Sequence, residues 1–202
     1  MNKFKTFMYG LFLLSSLSLV TPVLANDIYI TQSGDDLDLD ITQDGQNNIA
    51  GTSSTAIQLT GDTMTFNIDQ VGNSNVVSAI INGDTYTGNI DLTGNSNDVA
   101  LLCDSTGTAG SGNCETVSMS IDVTGSSATV VVSIGENADA VNFVGTMDIT
   151  SAAAETVTLT VDGQNADADI DISNSSGLTG NTAVYDINDN GDVNGHSLTH
   201  SH

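Results

Sequence analysis

A run of oxygen-bearing side chains near the C-terminus has the spacing of a ligand site. Asp186, Asn188, Asn190 and Asp192 stand at alternate positions, with a glycine between the last two. In calcium-binding loops, oxygens at alternate positions surround the ion and a glycine allows the turn. The bidentate acid of such loops is missing, because Ser197 occupies position 12. Calcium is the one cofactor that the sequence suggests, and the alternative is a plain polar tail with no cofactor.

No arrangement of residues in the sequence is typical of catalysis. Its three histidines, His196, His200 and His202, lie together in a polar tail, and no nucleophile or acid is spaced with them as in hydrolytic motifs. Acidic residues such as Asp38 and Asp40 alternate with apolar ones, which is typical of the solvated face of a strand. We therefore predict that the chain is not an enzyme.

The N-terminal 25 residues have the three-part pattern of a secretory signal peptide. Lys3 and Lys5 precede an apolar run over residues 7–20, and Ala25 ends the segment with a small residue. The apolar run is too short to span a membrane. We expect cleavage of residues 1–25, passage through the periplasm, and a mature chain that is secreted to the cell surface or extracellular matrix without membrane insertion.

The charge of the mature chain excludes whole classes of partner. Lys3 and Lys5 are the only Lys or Arg residues in the whole sequence, so cleavage after Ala25 leaves 25 acidic residues with no Lys or Arg. Nucleic acids are bound through Lys and Arg, and anionic membrane surfaces repel an acidic chain. Cations and polycationic surfaces remain as electrostatic partners.

Two cysteines, Cys103 and Cys114, flank a loop rich in glycine, serine and threonine. Exported proteins pass through oxidising compartments in which cysteine pairs form disulfides. The spacing differs from the C-x-x-C pattern of redox and metal motifs. We expect a disulfide that closes an insertion.

Glycine recurs with a period of 11 residues, and the same phrase of residues returns around it. In each phrase, apolar residues alternate with polar ones before a glycine and again after it, which predicts a strand, a tight bend and a second strand. We expect glycine at the bend to supply positive φ. The predicted bends lie at Gly45, Gly72, Gly94, Gly125 and Gly163.

These five glycines are 27, 22, 31 and 38 residues apart, which indicates a basic unit of about 22 residues with insertions at its corners. The excess before Gly163 predicts a degenerate half-unit around Ile134, Gly135 and Phe143. A single unit cannot satisfy its own strand edges, so units must stack. We predict an all-β fold, a β-solenoid of strand–arc–strand rungs over residues 26–180, with residues 181–202 as a cap or polar tail.

Amide side chains flank the early bends and disappear from the late ones. Buried amides need hydrogen-bond partners, so we expect each Gln and Asn to bond to the other, to the arc backbone and to copies in neighbouring rungs. The alternative is that they are exposed turn residues. The early amides are Gln43, Asn48, Gln70, Asn75 and Asn97, and the late equivalents are Val123, Ala128, Val161 and Ala166.

The segments 43–50 and 70–77, QDGQNNIA and QVGNSNVV, resemble the Q-x-G-x-x-N-x-[AV] core of curlin repeats. The resemblance covers residues 28–101 well and residues 115–172 loosely. It implies a β-solenoid that polymerises through its end rungs into curli, the functional amyloid of bacterial biofilms. The late rungs, the cysteine-bearing insertion and the absence of a Gly-rich leader depart from the family pattern.

The resemblance predicts a major, minor or nucleating subunit of a curli-like fibre, or fimbrium, that serves adhesion or the biofilm matrix. Its partners would be further copies of itself and a second curlin. The alternative is a soluble or surface-attached acidic β-solenoid that binds calcium, glycans or ice. Ice is included because Thr63 and Thr65 would stack on Thr85 and Thr87, which are 22 residues further along.

Overall fold

The structure is a computed structural model, and it describes residues 26–103, 114–135, 142–152, 155–163, 165–174, 182–189 and 197–201. The predicted signal peptide, residues 1–25, lies outside this set. The described residues form β-strands and contain no helix. The strands are β1 (Asn26–Ile28), β2 (Thr31–Ser33), β3 (Leu37–Gly45), β4 (Asn48–Ala50), β5 (Ile57–Thr60), β6 (Met64–Gly72), β7 (Ser74–Asn82), β8 (Thr85–Thr93), β9 (Ser96–Cys103), β10 (Thr116–Gly125), β11 (Ser127–Ile134), β12 (Asn142–Ser151), β13 (Thr156–Gly163), β14 (Asn165–Asn174), β15 (Thr182–Asp189) and β16 (Ser197–Ser201).

The strands form two sheets, and every pairing between named strands is parallel. Sheet I has the order β1-β4-β7-β9-β11-β13-β15, with β2 beside β5 and β5 beside β7. Sheet II has the order β3-β6-β8-β10-β12-β14-β16. We call a sheet II strand and the sheet I strand that follows it a strand pair, and the connection between them a first corner. The predicted all-β class is confirmed, with its strands in two parallel sheets.

The register between neighbouring strands follows the repeat in the sequence. Met64 in β6 pairs with Tyr86 in β8, and Ser74 in β7 pairs with Ser96 in β9, so both registers advance by the predicted 22 residues. The step from β8 to β10 is longer, because the segment between Cys103 and Thr116 carries the cysteine loop. Residues 104–113 of that loop lie outside the described set.

One insertion falls within a strand of sheet I and contradicts the prediction that insertions lie only at corners. Ala50 pairs with Val77 and Ile57 pairs with Ala79, so the six residues between Ala50 and Ile57 stand opposite Ser78 alone. This segment makes its own turn, closed by a bridge between residues 52 and 55. The 27-residue spacing between Gly45 and Gly72 therefore arises in the middle of a strand.

The predicted half-unit near Phe143 exists, and it changes the assignment of Gly163. Strand β12 pairs with β10 over its whole length, with Ser151 opposite Gly125. Gly163 ends β13 in sheet I and lies on the connection back to sheet II. The prediction that Gly163 forms the same corner as Gly125 is therefore wrong, because the apolar alternation looks alike on both sides of either corner.

Inward-facing residues of both sheets form one apolar core, and large side chains fill space that small ones leave. A Cβ at Gly88 would overlap the ring of Tyr86, and a Cβ at Gly145 would overlap the ring of Phe143. Both aromatic residues are fully buried. The glycines at 88 and 145 therefore give the rings of Tyr86 and Phe143 room to lie along their own strands.

The sheets extend past the predicted boundary at residue 180. Strand β15 pairs with β13 along its full length, and β16 pairs with β14. Residues 182–189 and 197–201 thus continue sheets I and II. No helix within the described residues is both long and apolar enough to cross a membrane.

Candidate functional site

Amide side chains line the inside of the early first corners. All are buried and at most 5% exposed, although each could have been an exposed turn residue. They stand in two columns, because the register places each Gln above the previous Gln and each Asn above the previous Asn. The buried amides are Gln43, Asn48, Gln70, Asn75 and Asn97.

Each asparagine joins two successive strand pairs through its side-chain nitrogen. Asn75 Nδ2 donates to the carbonyl oxygen of Gln70 in its own pair (2.8 Å) and to that of Thr93 in the next pair (3.3 Å). Asn97 Nδ2 donates in the same way to the carbonyl oxygens of Leu92 (3.1 Å) and Thr124 (3.3 Å). Each asparagine therefore bridges the two strands at its own corner and also binds the backbone at the first corner of the next strand pair.

The glutamines form a separate contact from strand pair to strand pair. Gln70 Nε2 donates to Gln43 Oε1 at 2.5 Å. The register then places Leu92 above Gln70, and Gln70 Oε1 is buried without a hydrogen-bond partner. The prediction that Gln and Asn side chains bond to each other within a corner is wrong for Asn75, whose nitrogen bonds to the backbone of Gln70. Asn97 makes the same backbone contacts beside a leucine, so it does not need a glutamine.

The prediction that the bend glycines supply positive φ is wrong, and Gly72, Gly94 and Gly125 are required instead by close approach of neighbouring strands. The glycines with positive φ in the described chain are Gly34, Gly51, Gly61 and Gly135, none of which is a predicted bend.

At the first corners, the space for a side chain is already filled. A Cβ at Gly72 would overlap the carbonyl oxygen of Gly45, and a Cβ at Gly94 would overlap both the carbonyl of Gly72 and the Asn75 amide. At Gly125 the nearest atom would be the Gly94 carbonyl oxygen, 2.8 Å away.

The residue at each corner-glycine position depends on whether the previous strand pair has a buried asparagine. Gly94 lies against the Asn75 amide, and Gly125 lies against the Asn97 amide. The corner at Gly125 has Ala128 in the asparagine column, and in the next strand pair Ser151 takes the position of the corner glycine, opposite Gly125. Where the amide is absent, a residue with a Cβ is tolerated one strand pair later.

Asn26 also belongs to the asparagine column, which sequence reasoning missed. Asn26 pairs with Asn48, and its Nδ2 donates to Asn48 Oδ1 at 2.9 Å. The signal was its position 22 residues before Asn48, but no glycine phrase precedes it. At the other end of the column, Glu155 takes the asparagine position after Ala128 and is buried.

A second feature missed from the sequence is a straight column of aspartates on the outer face of sheet II. Five neighbouring strands of sheet II each place an aspartate at the same register position; these strands are β6, β8, β10, β12 and β14. Thr42 in β3 precedes this acidic column and Thr199 in β16 follows it. Insertions between the strands hide this alignment in the linear sequence. The acidic column is Asp69, Asp91, Asp122, Asp148 and Asp171.

Proximity and partial burial alter the acidity of this column. The pKa of Asp91 is raised above the usual 3.8, first by desolvation and then by the charges of Asp122 and Asp69. The pKa of Asp148 is raised by desolvation and then by Asp122 and Asp171. Beyond residue 25 the sequence has no Lys or Arg, so neither side chain can offset this repulsion within the described strands.

The predicted disulfide between Cys103 and Cys114 is present, with Cα atoms 6.0 Å apart. Cys103 ends β9 and faces inward, between Ile81 of β7 and Ile134 of β11. Both cysteines are fully buried. The disulfide thus lies in the core column and closes the cysteine loop at the C-terminal end of β9.

The predicted calcium residues fall partly in a strand. Asp186 and Asn188 belong to β15 and pair with Thr160 and Asp162 of β13. The first two positions of the calcium pattern are therefore held in an extended strand and not in a loop. Asn190 and Asp192 lie outside the described residues. Within the described residues, no three His, Cys, Asp or Glu side chains form a group that could hold a metal ion.

The threonine array is short. Thr65 pairs with Thr87 as the spacing predicts, but the next residues in that column are Ser118 and Val144. A regular threonine surface across sheet II is thus absent from the described strands.

Comparisons of the chain with known protein families, with characterised proteins and with solved structures find no match.

Proposed function

We propose that the strand pairs are the rungs of a β-solenoid and that the chain is a structural subunit of a curli-like extracellular fibre. In this reading the coil of one copy continues into the next, so that both sheets run through the fibre. The proposal takes its support from the parallel in-register sheets, from the buried amide columns and from the expected export of the chain.

The observation that carries the proposal is the state of the sheet ends. In the described part of the chain, β1, β2 and β3 have no strand on their outer side at one end, and β15 and β16 have none at the other. Unpaired strand edges offer rows of backbone donors and acceptors to another chain. The mature sequence has no proline or lysine to block such pairing.

The spacing of the strands gives the proposal a direct test. The mature chain, expected to begin at Asn26, should form fibres that bind thioflavin and diffract at about 4.8 Å along the fibre axis, the distance between paired strands. Preformed fibres should shorten the lag phase. A monodisperse monomer that never seeds, in low or high salt and with or without calcium, would contradict the proposal.

The acidic column favours a second candidate, an acidic binding module for cations. Five aligned carboxylates and an open groove lined by Ser120, Asp122 and Asp148 present negative charge on one face. Titration of a monomer with calcium, followed by calorimetry, separates this candidate from the fibre subunit. Saturable binding by a chain that stays monomeric would favour the module.

A further inference from the structure

The two ends of the molecule are stepped in opposite senses. We call one strand step along the sheets a level, so that the two strands of a strand pair share a level. Sheet I begins with β1 and β2, which pair with β4 and β5, whereas sheet II begins one level later with β3. At the other end, sheet II finishes with β16, one level beyond β15 of sheet I. One end therefore has an extra strand in sheet I, and the other end has an extra strand in sheet II.

We propose that these steps interlock, so that β1 and β2 of one copy and β16 of a second copy form a single shared strand level. In this joint, β1 and β2 add to the free edge of β15, and β16 adds to the free edge of β3. The partner is a second copy of this chain, and the inference rests on the proposed fibre function. It deepens that function by stating which strands meet and in which register.

Backbone groups at the two free edges are complementary. The carbonyl oxygens of Ile28 and Ile30 accept bonds from Gly51 and Gln58 within the chain. Alternate residues of a parallel strand direct their backbone groups to opposite edges, so the N–H and C=O of Tyr29 face the free edge. At the other end, the Thr182 N–H bonds to the carbonyl oxygen of Glu155, which directly precedes the neighbouring strand β13. The N–H and C=O of the next residue, Ala183, therefore face the free edge.

The apolar core is incomplete at the levels that would meet. Continuation of the register places Ile28 of one copy over Ala183 of the other, and Ile30 over Tyr185. Both pairs are only partly buried in the single chain. Among the side chains that the structure describes, the partly buried hydrophobic residues against the core are all in the end strands or beside them: Ile28, Ile30, Leu37, Leu39, Ala183 and Tyr185.

Two exposed apolar residues on the outer face of sheet I also meet in this register. Tyr29 is 50% exposed and Val184 is 48% exposed, at opposite ends of the molecule. Both belong to the column that runs through Ser78 and Thr158. The joint places the tyrosine ring beside the valine, an aromatic and β-branched pair that stabilises neighbouring strands.

The charge pattern favours the same joint. The acidic column ends one level short of each edge of sheet II, where Thr42 and Thr199 occupy its position. In the joint the two threonines are neighbours, so no aspartate of this column faces another across the contact. On sheet I, Asp27 of one copy aligns with Thr182 of the other.

Proline substitution at the free edge tests the joint. Tyr29→Pro removes an N–H that faces outward, so the monomer should fold with a circular dichroism spectrum like that of the parent. We expect at least a tenfold slower elongation from wild-type seeds. Tyr29→Thr keeps the N–H and loses only the ring contact, so it should slow elongation a few-fold. Val144→Thr, at a residue 56% exposed on an interior strand, should have no effect.

The outcomes separate the joint from the fibre function. Wild-type fibres together with Tyr29→Pro elongation at the wild-type rate would overturn the joint and leave the fibre function intact. An absence of wild-type fibres would overturn both. If Tyr29→Pro does not fold, Ala183→Pro provides a second test, because it removes an N–H from the free edge of β15, which faces β1 and β2 in the joint. Its slow elongation supports the joint, and wild-type elongation by a folded Ala183→Pro chain overturns it.

Discussion

The early and the late first corners of this chain make the same bend with different chemistry. The corners at Gly72 and Gly94 each enclose a buried asparagine, Asn75 or Asn97, that bonds to two successive strand pairs. At the corner that begins at Ser151, the asparagine position is taken by Glu155, and in the previous strand pair it is taken by Ala128. The register continues through both, so the amide is not needed to turn the chain.

The comparison shows what the amide does instead. By bonding to the carbonyl oxygen of the residue before the next glycine, Asn75 and Asn97 draw the next corner close over their own amides. That approach leaves no space for a Cβ at Gly94 or Gly125. Asparagine in one strand pair and glycine in the next therefore act as a unit, and both are replaced together after Ala128.

Alanine at the corner glycines should give the largest effects and a graded order. Gly72→Ala forces a Cβ into a backbone carbonyl and should cost about 3 kcal/mol, the upper range for overpacking. Gly125→Ala, with its nearest atom 2.8 Å away, should cost less. Gly45→Ala meets only side-chain atoms, at 3.1 Å and beyond, and should cost least. Denaturant unfolding checks the order, and equal losses at all three positions would contradict it.

Removal of a buried glutamine should have the next largest effect. Gln70→Ala leaves Gln43 Oε1 buried without its donor and should cost about 2 kcal/mol, within the range for an orphaned polar group. Asp69→Ala, at the exposed neighbouring position in the acidic column, should change stability by less than about 0.5 kcal/mol. Thermal melting of the two variants measures the difference, and equal losses would exclude a structural role for the glutamine column.

A double-mutant cycle tests whether asparagine and glycine are coupled. Ala128→Asn alone should destabilise the chain, because Ser151 keeps a Cβ where the next corner would have to approach. Ser151→Gly in the same chain should recover about 1 kcal/mol more than Ser151→Gly does alone, a size typical of contacting residues. Additive effects of the two substitutions would show that the pattern at the early corners has another origin.

The acidic column should give the smallest effect, visible as a pH dependence. Because the folded pKa values of Asp91 and Asp148 lie above the usual 3.8, the folded chain holds more protons than the unfolded chain in that window. Stability should therefore rise as pH falls from neutral through the raised pKa values, and level off near the usual value.

Asp122→Asn removes the charge that both residues share as a neighbour. It should raise stability near neutral pH by roughly 0.5 kcal/mol, as expected for like charges on adjacent strands. About 1 M salt should have a similar effect on the parent chain and a smaller one on the variant. Thermal melting over this pH range checks the sign, and a loss of stability on mild acidification would contradict it.

Much of the fold could be predicted from alternation and glycine spacing, because these report directly on local geometry. Gly72 and Asn75 mark their corner in the sequence alone. Gly163 lies at a different corner from the one that the sequence predicts, because alternation cannot tell sheet I from sheet II. The acidic column could not be predicted, because insertions of unequal length separate Asp91, Asp122 and Asp148, and only the strand pairing brings them into line.

The most direct test of the account is the axial rise per subunit in an electron cryomicroscopy map of the fibre. Each sheet contributes seven strand levels, with β1 and β2 sharing one level and β4 and β5 another. At about 4.8 Å per level, an interlocked stack predicts a rise of roughly 34 Å with strands across the axis. A rise of about 38 Å would mean that no level is shared, and strands that run along the axis would contradict stacking of the chain altogether.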